Sequence, residues 1–239
     1  MKIDTSKRTN TEEIMDNFEL QGEELDRTLK DLDRINKWLG GNKITLQGIK
    51  KLIGNHSRNK QIHITDVGCG NGAVLREIAK WGRTHSYNFK LTGIDANAHA
   101  IEIGQNMSKD FEEITFRNLD IFSEEFTAFK CDILLCTLTL HHFKDREISK
   151  LLSLFNRQAK MGVVINDLER SKLAYRLFQA FCKVFINNEI ARKDGLTSIL
   201  RGFKKSDLHK FAADLPTSNH QIDWKWAFRY QWIIQKKIV

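Results

Sequence analysis

The chain has 239 residues, 41% of them hydrophobic, and 38 lysines and arginines against 30 aspartates and glutamates give it a net charge of +8. This length suits one α/β domain with an extra segment. No run approaches about 18 uncharged apolar residues and the first residues lack an apolar signal core, so we predict a cytoplasmic protein without a transmembrane helix. The scattered basic residues favour a solvated surface over a specific nucleic-acid site.

Two helices are predicted before the first strand. Residues 1–17 are polar, and we expect them to be mobile. Apolar residues at helical spacing predict an amphipathic helix over 18–39, and a second helix follows with Thr45 as its N-cap. Helices that precede the first strand cannot join the central sheet. Residues 1–60 are therefore predicted to form an N-terminal extension, either a lid over the ligand edge or a cover for one sheet face.

The stretch 62–73 combines a β-branched strand, a glycine turn and the start of a helix. Gly68, Gly70 and Gly72 fall at every second position, so the backbone can turn sharply and a ligand can lie against bare main chain. In α/β sheets this arrangement builds a nucleotide site at the carboxyl edge of the first strand. Asp66, two positions before the first glycine, suits a ligand with an ammonium group better than a pyrophosphate.

The run Asp66-x-Gly68-x-Gly70-x-Gly72 resembles motif I of the class I S-adenosylmethionine (SAM)-dependent methyltransferases. The resemblance implies a Rossmann-like α/β domain over 61–239, with a seven-stranded, mostly parallel sheet, helices on both faces and an antiparallel C-terminal hairpin. It also implies SAM as cofactor and S-adenosylhomocysteine (SAH) as product. The glycines fit the dinucleotide fingerprint as well, so a nicotinamide oxidoreductase is an alternative.

The second predicted strand, 89–95, ends in an acid. Asp95 could accept hydrogen bonds from both ribose hydroxyls of an adenosine cofactor, as the matching residue does in the resembled family. A third strand at 114–116 leads to Asp120, where the family has an acid near the adenine amino group; a simple turn residue is the alternative. The cofactor residues predicted in this way are Asp66, Gly68, Cys69, Gly70, Asp95, Ala96, Asp120, Ile121 and Thr137.

An apolar run over 131–138 predicts a central parallel strand. It closes on Leu-His-His-Phe at 140–143, which resembles motif IV of ubiquinone/menaquinone-type and related small-molecule methyltransferases. Histidine has a pKa suited to removing a phenol proton, so His141 or His142 is the predicted catalytic base. Asp167, at the end of the next strand, would orient that base or bind the acceptor. Alternatively, one histidine caps the following helix and the other packs.

The last third of the chain is predicted to contain an aromatic helix, a turn, a further helix and a pair of strands. The apolar and aromatic helix at 171–186 is either a core helix or one that lines an apolar substrate pocket or touches a membrane. We predict a turn at Asp194-Gly195 and a helix capped by Ser206. The alternating pattern over 221–234 indicates a terminal pair of antiparallel strands.

Segments 36–41, 166–171 and 194–203 resemble a bacterial methyltransferase subgroup associated with type III polyketide synthases. This likeness points to secondary metabolism and to a phenolic, quinonoid or polyketide-derived acceptor. We predict methyl transfer from SAM to the oxygen of a small, largely apolar acceptor. The alternatives are C-methylation of a quinone ring, RNA or protein methylation, and a non-catalytic SAM-binding module.

Few other partners are predicted. The four cysteines form no CxxC pair, so we expect reduced thiols and no metal site. We expect no specific nucleic-acid partner and at most peripheral contact with a membrane. The protein is predicted to be a monomer or a homodimer.

Overall fold

A computed structural model describes residues 3–54, 58, 60–216 and 218–236. The strands are β1 (Ile62–Val67), β2 (Phe89–Asp95), β3 (Ile114–Asn118), β4 (Cys131–Thr137), β5 (Ala159–Leu168), β6 (Ser218–Lys225) and β7 (Arg229–Lys236). The helices are α1 (Gly22–Trp38), α2 (Gly41–Ile53), α3 (Ala73–Thr84), α4 (Ala98–Met107), α5 (Glu124–Thr127), α6 (Asp145–Gln158), α7 (Lys172–Phe185), α8 (Glu189–Arg201) and α9 (Lys205–Ala213). Short 3-10 turns occupy Ile14–Asp16 and Leu140–His142.

The strands form one sheet in the order β3-β2-β1-β4-β5-β7-β6. Strands β1 to β5 pair in parallel, whereas β7 runs antiparallel to β5 and β6 runs antiparallel to β7. The chain winds outward from β1 in both directions, so the switch point lies between β1 and β4. Ligands of such sheets bind at the carboxyl ends of the strands beside that point. The predicted fold class is confirmed.

Helices cover both faces of the sheet. On one face, α2 and α3 bury Ile49 and Leu75 against the strands. On the other face, α6 and α9 bury Phe155 and Leu208 against a core that includes Trp232 of β7. All five side chains are buried. The apolar runs predicted for β1, β4 and β5 follow from this two-sided cover, because a parallel strand with helices on both faces has little surface left for water.

The first two helices have different positions. Gly48 of α2 lies on β5, where an added Cβ would come within 2.5 Å of Val164. α1 instead crosses the carboxyl edge, since Leu29 packs with Ala100 of α4 and Ile35 packs with α7 and α8. Thus α2 shields a sheet face and α1 spans the ligand edge. The division into 1–60 and 61–239 stays a prediction, and residues 1–2, 55–57, 59, 217 and 237–239 within it lie outside the described residues.

Three local predictions are wrong. α2 starts at Gly41, so Thr45 is not its cap; it lies inside the helix, and its hydroxyl bonds with Thr137 and Asn166. Asp194-Gly195 forms no turn but lies within α8, because Asp194 accepts two backbone N–H bonds from the N-terminal segment. Ser206 lies inside α9, whose cap position falls on Lys204.

None of the helices in the described ranges combines the length and the apolar character that crossing a membrane requires.

Candidate cofactor and acceptor site

A large cavity opens at the carboxyl edge of the sheet. Its volume is about 1530 Å³, whereas a pocket for one drug-sized ligand typically measures roughly 300–1,000 Å³. The cavity therefore has room for two ligands side by side. One half lies at the ends of β1, β2 and β3, and the other lies between β4, β5, the N-terminal segment, α1, α7 and the β6–β7 connection.

The glycine turn forms the floor of the first half. The Gly68 N–H donates to the Ile94 carbonyl at 2.8 Å, which holds the turn against β2. Gly68 has φ +67°, and a Cβ there would lie 2.4 Å from the Thr139 side chain. Gly70 also has a left-handed φ, +52°, but a Cβ there would meet only Leu29, at 3.4 Å. Gly68 is therefore required for close packing, and Gly70 presents bare backbone to the cavity.

Asp95 stands at the end of β2 beside that bare backbone. Its Oδ2 accepts from the Gly70 N–H at 2.8 Å and its Oδ1 accepts from the Asn97 N–H at 2.9 Å. Burial raises the pKa of Asp95, and these backbone donors oppose the rise. Each carboxylate oxygen keeps a further lone pair, so Asp95 can accept two hydroxyl groups from a ligand. This is the geometry expected of a ribose contact.

Asp66 has a different environment from the one predicted. It is 2% exposed and lies behind the turn, outside the cavity lining. Burial, together with the nearby Asp95, raises the pKa of Asp66 well above its usual range. Its Oδ1 has no hydrogen-bond partner in the part of the chain that the structure describes. Direct contact between Asp66 and an ammonium group stays a prediction.

The other predicted cofactor residues divide into two groups. Ala96, Asp120 and Ile121 line the cavity, although Asp120 also forms a turn by accepting the Phe122 N–H at 2.9 Å. Cys69 and Thr137 do not line it. The Cys69 thiol packs on Gly93, and the Thr137 hydroxyl lies 3.1 Å from that of Thr45 in the interior.

His141 is a buried cation between two carboxylates. It follows β4 in the 3-10 turn, and its Nδ1 lies 2.7 Å from Asp167 Oδ1. Its Nε2 lies 3.4 Å from Glu13 Oε1. Burial alone would lower the pKa of His141, but Asp167 and Glu13 outweigh it and raise the pKa to about 9. Asp167 therefore contacts one of the two histidines predicted as base, and the imidazole of His141 is protonated at neutral pH. The role of Asp167 in orienting the base stays a prediction.

His142 is the more accessible of the two histidines and lines the cavity. Its Nδ1 lies 2.5 Å from Asp16 Oδ1. Burial raises the pKa of Asp16, but His142 and Arg201 outweigh it and hold the pKa below its usual range, so Asp16 is ionised. An ionised carboxylate only accepts hydrogen bonds, so the proton sits on Nδ1 of His142. The Nε2 atom, which lies 4.0 Å from Glu13 Oε2, carries a lone pair when the ring is neutral, which is the form a general base needs.

Sequence analysis missed the N-terminal half of this cluster. Residues 1–17 were expected to be mobile, yet Arg8 donates to the carbonyls of His141 and Phe143 at 2.8 and 2.9 Å. The available signal was the spacing of Glu13 and Asp16, which form the ends of a capping box around the first 3-10 turn. Their assignment to the site required the folded structure.

Glu13, His141 and His142 also have the composition of a metal site. Their ligand atoms lie within 4.8 Å of one another, and carboxylates hold both Nδ1 atoms, as is usual for metal-bound histidines. However, the Arg201 guanidinium lies 3.7 Å from Glu13 Oε1, and His141 already bridges Glu13 and Asp167 as a cation. The charges of this group are paired, although Glu13 Oε1 and His141 Nε2 make no hydrogen bond among the described residues. The absence of a metal stays a prediction.

The wall of the second half is apolar and aromatic. α7 forms part of this wall with one face, while Leu173, Val184 and Phe185 on its other face are exposed. It is therefore not a core helix. The side chains that contribute to the wall include Ile35, Leu39, Leu138, Phe178, Phe181 and Phe228.

Comparisons with known proteins agree with this geometry. A family described as "Methyltransferase domain" matches residues 58–231. The ubiquinone biosynthesis O-methyltransferase of Rickettsia akari is 27% identical over 132 residues, which cover 54% of this chain and 49% of that protein. The Rickettsia felis enzyme of the same name is 27% identical over 131 residues, 54% of this chain and 50% of that one. The chain thus spans about half the length of these curated relatives.

Two solved structures show the same fold. The plantazolicin methyltransferase BpumL, in complex with a pentazolic desmethylPZN analog and SAH, superposes with a TM-score of 0.65 at 16% identity, covering 89% of this chain and 91% of that one. Human N-acetylserotonin methyltransferase in complex with SAM gives a TM-score of 0.65 at 16% identity, covering 92% of this chain and 58% of that one.

Proposed function

The chain belongs to the methyltransferase domain family, and from this premise we propose that it methylates an oxygen of a small, largely apolar acceptor of phenolic, quinonoid or polyketide-derived type. Membership of the family confirms the predicted enzyme class, and neighbours that hold SAM or SAH agree with the predicted cofactor. The acceptor, the methylated atom and the roles of the histidines are the proposal.

The observation that carries the proposal is the continuity of one cavity. The same space joins the glycine turn and Asp95 to His142 and the apolar wall. Two features fit SAM at the first half: the bare backbone of Gly70 and the spare lone pairs of Asp95. An acceptor in the second half would then lie beside the cofactor.

SAM, when bound, supplies the sulfonium methyl group. The protein then has to position the acceptor beside it, exclude water and accept one proton. We assign the base role to His142. His142 Nε2 would take the acceptor O–H proton, so that this oxygen becomes the nucleophile toward the methyl group that SAM would supply. Asp16 on Nδ1 orients the ring and stabilises the imidazolium. His141, already a cation, is a positioning residue.

The N-terminal segment and α1 act as a cover in this proposal. Arg8 and Arg201 both donate to the His141 carbonyl, at 2.8 and 3.2 Å, and so fix the turn that carries His142. The cytoplasmic location, the monomeric or homodimeric state and contact with a membrane remain predictions, which fractionation and light scattering would test.

Methyl-labelled SAM tests the proposal. Purified protein, cell extract and label are incubated, and the organic-soluble, nucleic-acid and protein fractions are counted separately, with Asp95→Ala as the matched control. The proposal expects label in the organic fraction with the wild type and far less with Asp95→Ala. Label in RNA or protein would contradict the acceptor class, and SAM binding with no transfer would favour a non-catalytic SAM-binding module.

A further inference from the structure

Arg229, the first residue of β7, is a buried guanidinium that lines the cavity. It is 2% exposed, and its Nε and Nη1 atoms have no hydrogen-bond partner among the described residues. Within the same part of the chain, no carboxylate lies within ion-pair distance of it. Burial lowers the pKa of Arg229 to about 10 against a smaller opposing effect of Asp167, so it is a cation at neutral pH.

An unpaired buried cation is costly, and arginine is almost never fully buried without a partner. Among the described residues, no carboxylate pairs with the guanidinium and no acceptor bonds to its Nε or Nη1 atom. Gly41, the first residue of α2, covers the guanidinium so closely that an added Cβ would lie 2.9 Å from Arg229 Cζ. Asn36, which also lines the cavity, presents a neutral acceptor, Oδ1, at the same point, but this oxygen makes no hydrogen bond to the guanidinium. The start of α2 brings the positive end of a helix dipole to the same point. The free donors therefore suit an anion that enters through the cavity.

The position of Arg229 in the sheet indicates which ligand carries that anion. The cofactor half lies at the ends of β1 and β2, and β7 is three strands from β1 in the order β1-β4-β5-β7. At roughly 4.8 Å per strand, the start of β7 is about 14 Å from the glycine turn across the sheet. The aromatic residues Trp226 and Phe228 precede Arg229 and line the same part of the cavity. Arg229 thus belongs to the acceptor half.

We propose that Arg229 binds a carboxylate on the acceptor, so that the substrate class is an aromatic or polyketide-derived acid with an apolar body. This inference rests on the proposed function and narrows it. A guanidinium fork matches a carboxylate through two parallel N–H···O bonds, which fixes the ring orientation as well as adding affinity. Neutral phenols would fill the same apolar wall but leave the guanidinium unpaired.

Two probes that differ by one carboxylate test the proposal. 2,4-Dihydroxybenzoate and resorcinol are titrated calorimetrically into protein saturated with SAH, using wild type, Arg229→Gln and the exposed control Arg117→Gln. We expect the wild type and Arg117→Gln to bind the acid at least about tenfold more tightly than resorcinol, in line with a charge-assisted pair. Arg229→Gln should bind both alike, with unchanged SAH affinity. Arg229→Met serves as a second variant if the glutamine variant does not fold.

Three results would overturn the proposal: no preference for the acid in the wild type, a preference that persists in a folded Arg229 variant, or a fall in SAH affinity in that variant. The last result would mean that Arg229 serves the cofactor. Failure of the proposed function has a separate signature in the labelling experiment, because label would then appear in RNA or protein, or SAM would bind with no transfer.

Discussion

His141 makes the stability of this fold depend on pH. Its pKa is raised from 6.5 to about 9 because Asp167 and Glu13 outweigh the effect of burial. A group with a raised pKa in the folded state contributes stability that is fully present below the unfolded pKa and is lost as the pH rises through the folded pKa. A change from 6.5 to about 9 corresponds to about 3 kcal/mol. The free energy of unfolding should therefore fall by up to that amount between pH 6.5 and 9.

Asp167→Asn removes the nearer of the two carboxylate charges while leaving an oxygen to accept the His141 Nδ1–H. The pKa of His141 should then fall toward its unfolded value, so the variant should be less stable at pH 6.5 and should vary less with pH than the wild type. Asp110→Asn, an exposed substitution, serves as the control. The assay is urea unfolding followed by tryptophan fluorescence at intervals between pH 6.5 and 9. Equal pH dependence in the wild type and Asp167→Asn would refute the assignment of the charge pair.

Three further outcomes follow from the site. Asp95→Ala should raise the SAM dissociation constant by about two orders of magnitude, since two charge-assisted hydrogen bonds are lost, while circular dichroism stays unchanged; unaltered affinity would remove the ribose assignment. His142→Ala should lower kcat by about 10²-fold or more without changing the SAM dissociation constant, and full turnover would eliminate His142 as base. Treatment with EDTA should leave turnover unchanged because ion pairs satisfy Glu13, and loss of activity restored by a divalent cation would instead indicate a metal at that cluster.

Much of the cofactor half could be predicted from the sequence because the patterns that indicate it are local. The glycines at 68, 70 and 72 require a specific backbone, and the acid at the end of β2 follows directly from the strand pattern. The parallel strands appear as apolar runs because both of their faces are buried. Asp167 was expected to orient His141 or His142 or to bind the acceptor, and it contacts His141 because the ends of neighbouring parallel strands meet at one edge.

The acceptor half of the site could not be predicted from the sequence, because its contacts join distant parts of the chain. His142 meets Asp16 across 126 positions, and Arg201 meets Asp16 across 185. A polar segment such as 1–17 has no apolar pattern that would predict its docking. Its described residues are held by donors and acceptors of α8 and of the 3-10 turn that follows β4. Contacts between distant parts of the chain also explain why the predicted turn at Asp194-Gly195 is a helix. Hydrogen bonds from the N-terminal segment to Asp194 and packing of Phe178 on Gly195 favour the helix over a turn.

The central claim is that one cavity holds SAM at the glycine turn with its methyl group directed at the half lined by His142. A crystal structure of the protein with SAH tests this most directly. We predict both ribose hydroxyls within hydrogen-bond distance of Asp95, and the SAH sulfur facing the space between His142 and the apolar wall. An SAH molecule bound elsewhere, or one whose sulfur faces away from His142, would contradict the account.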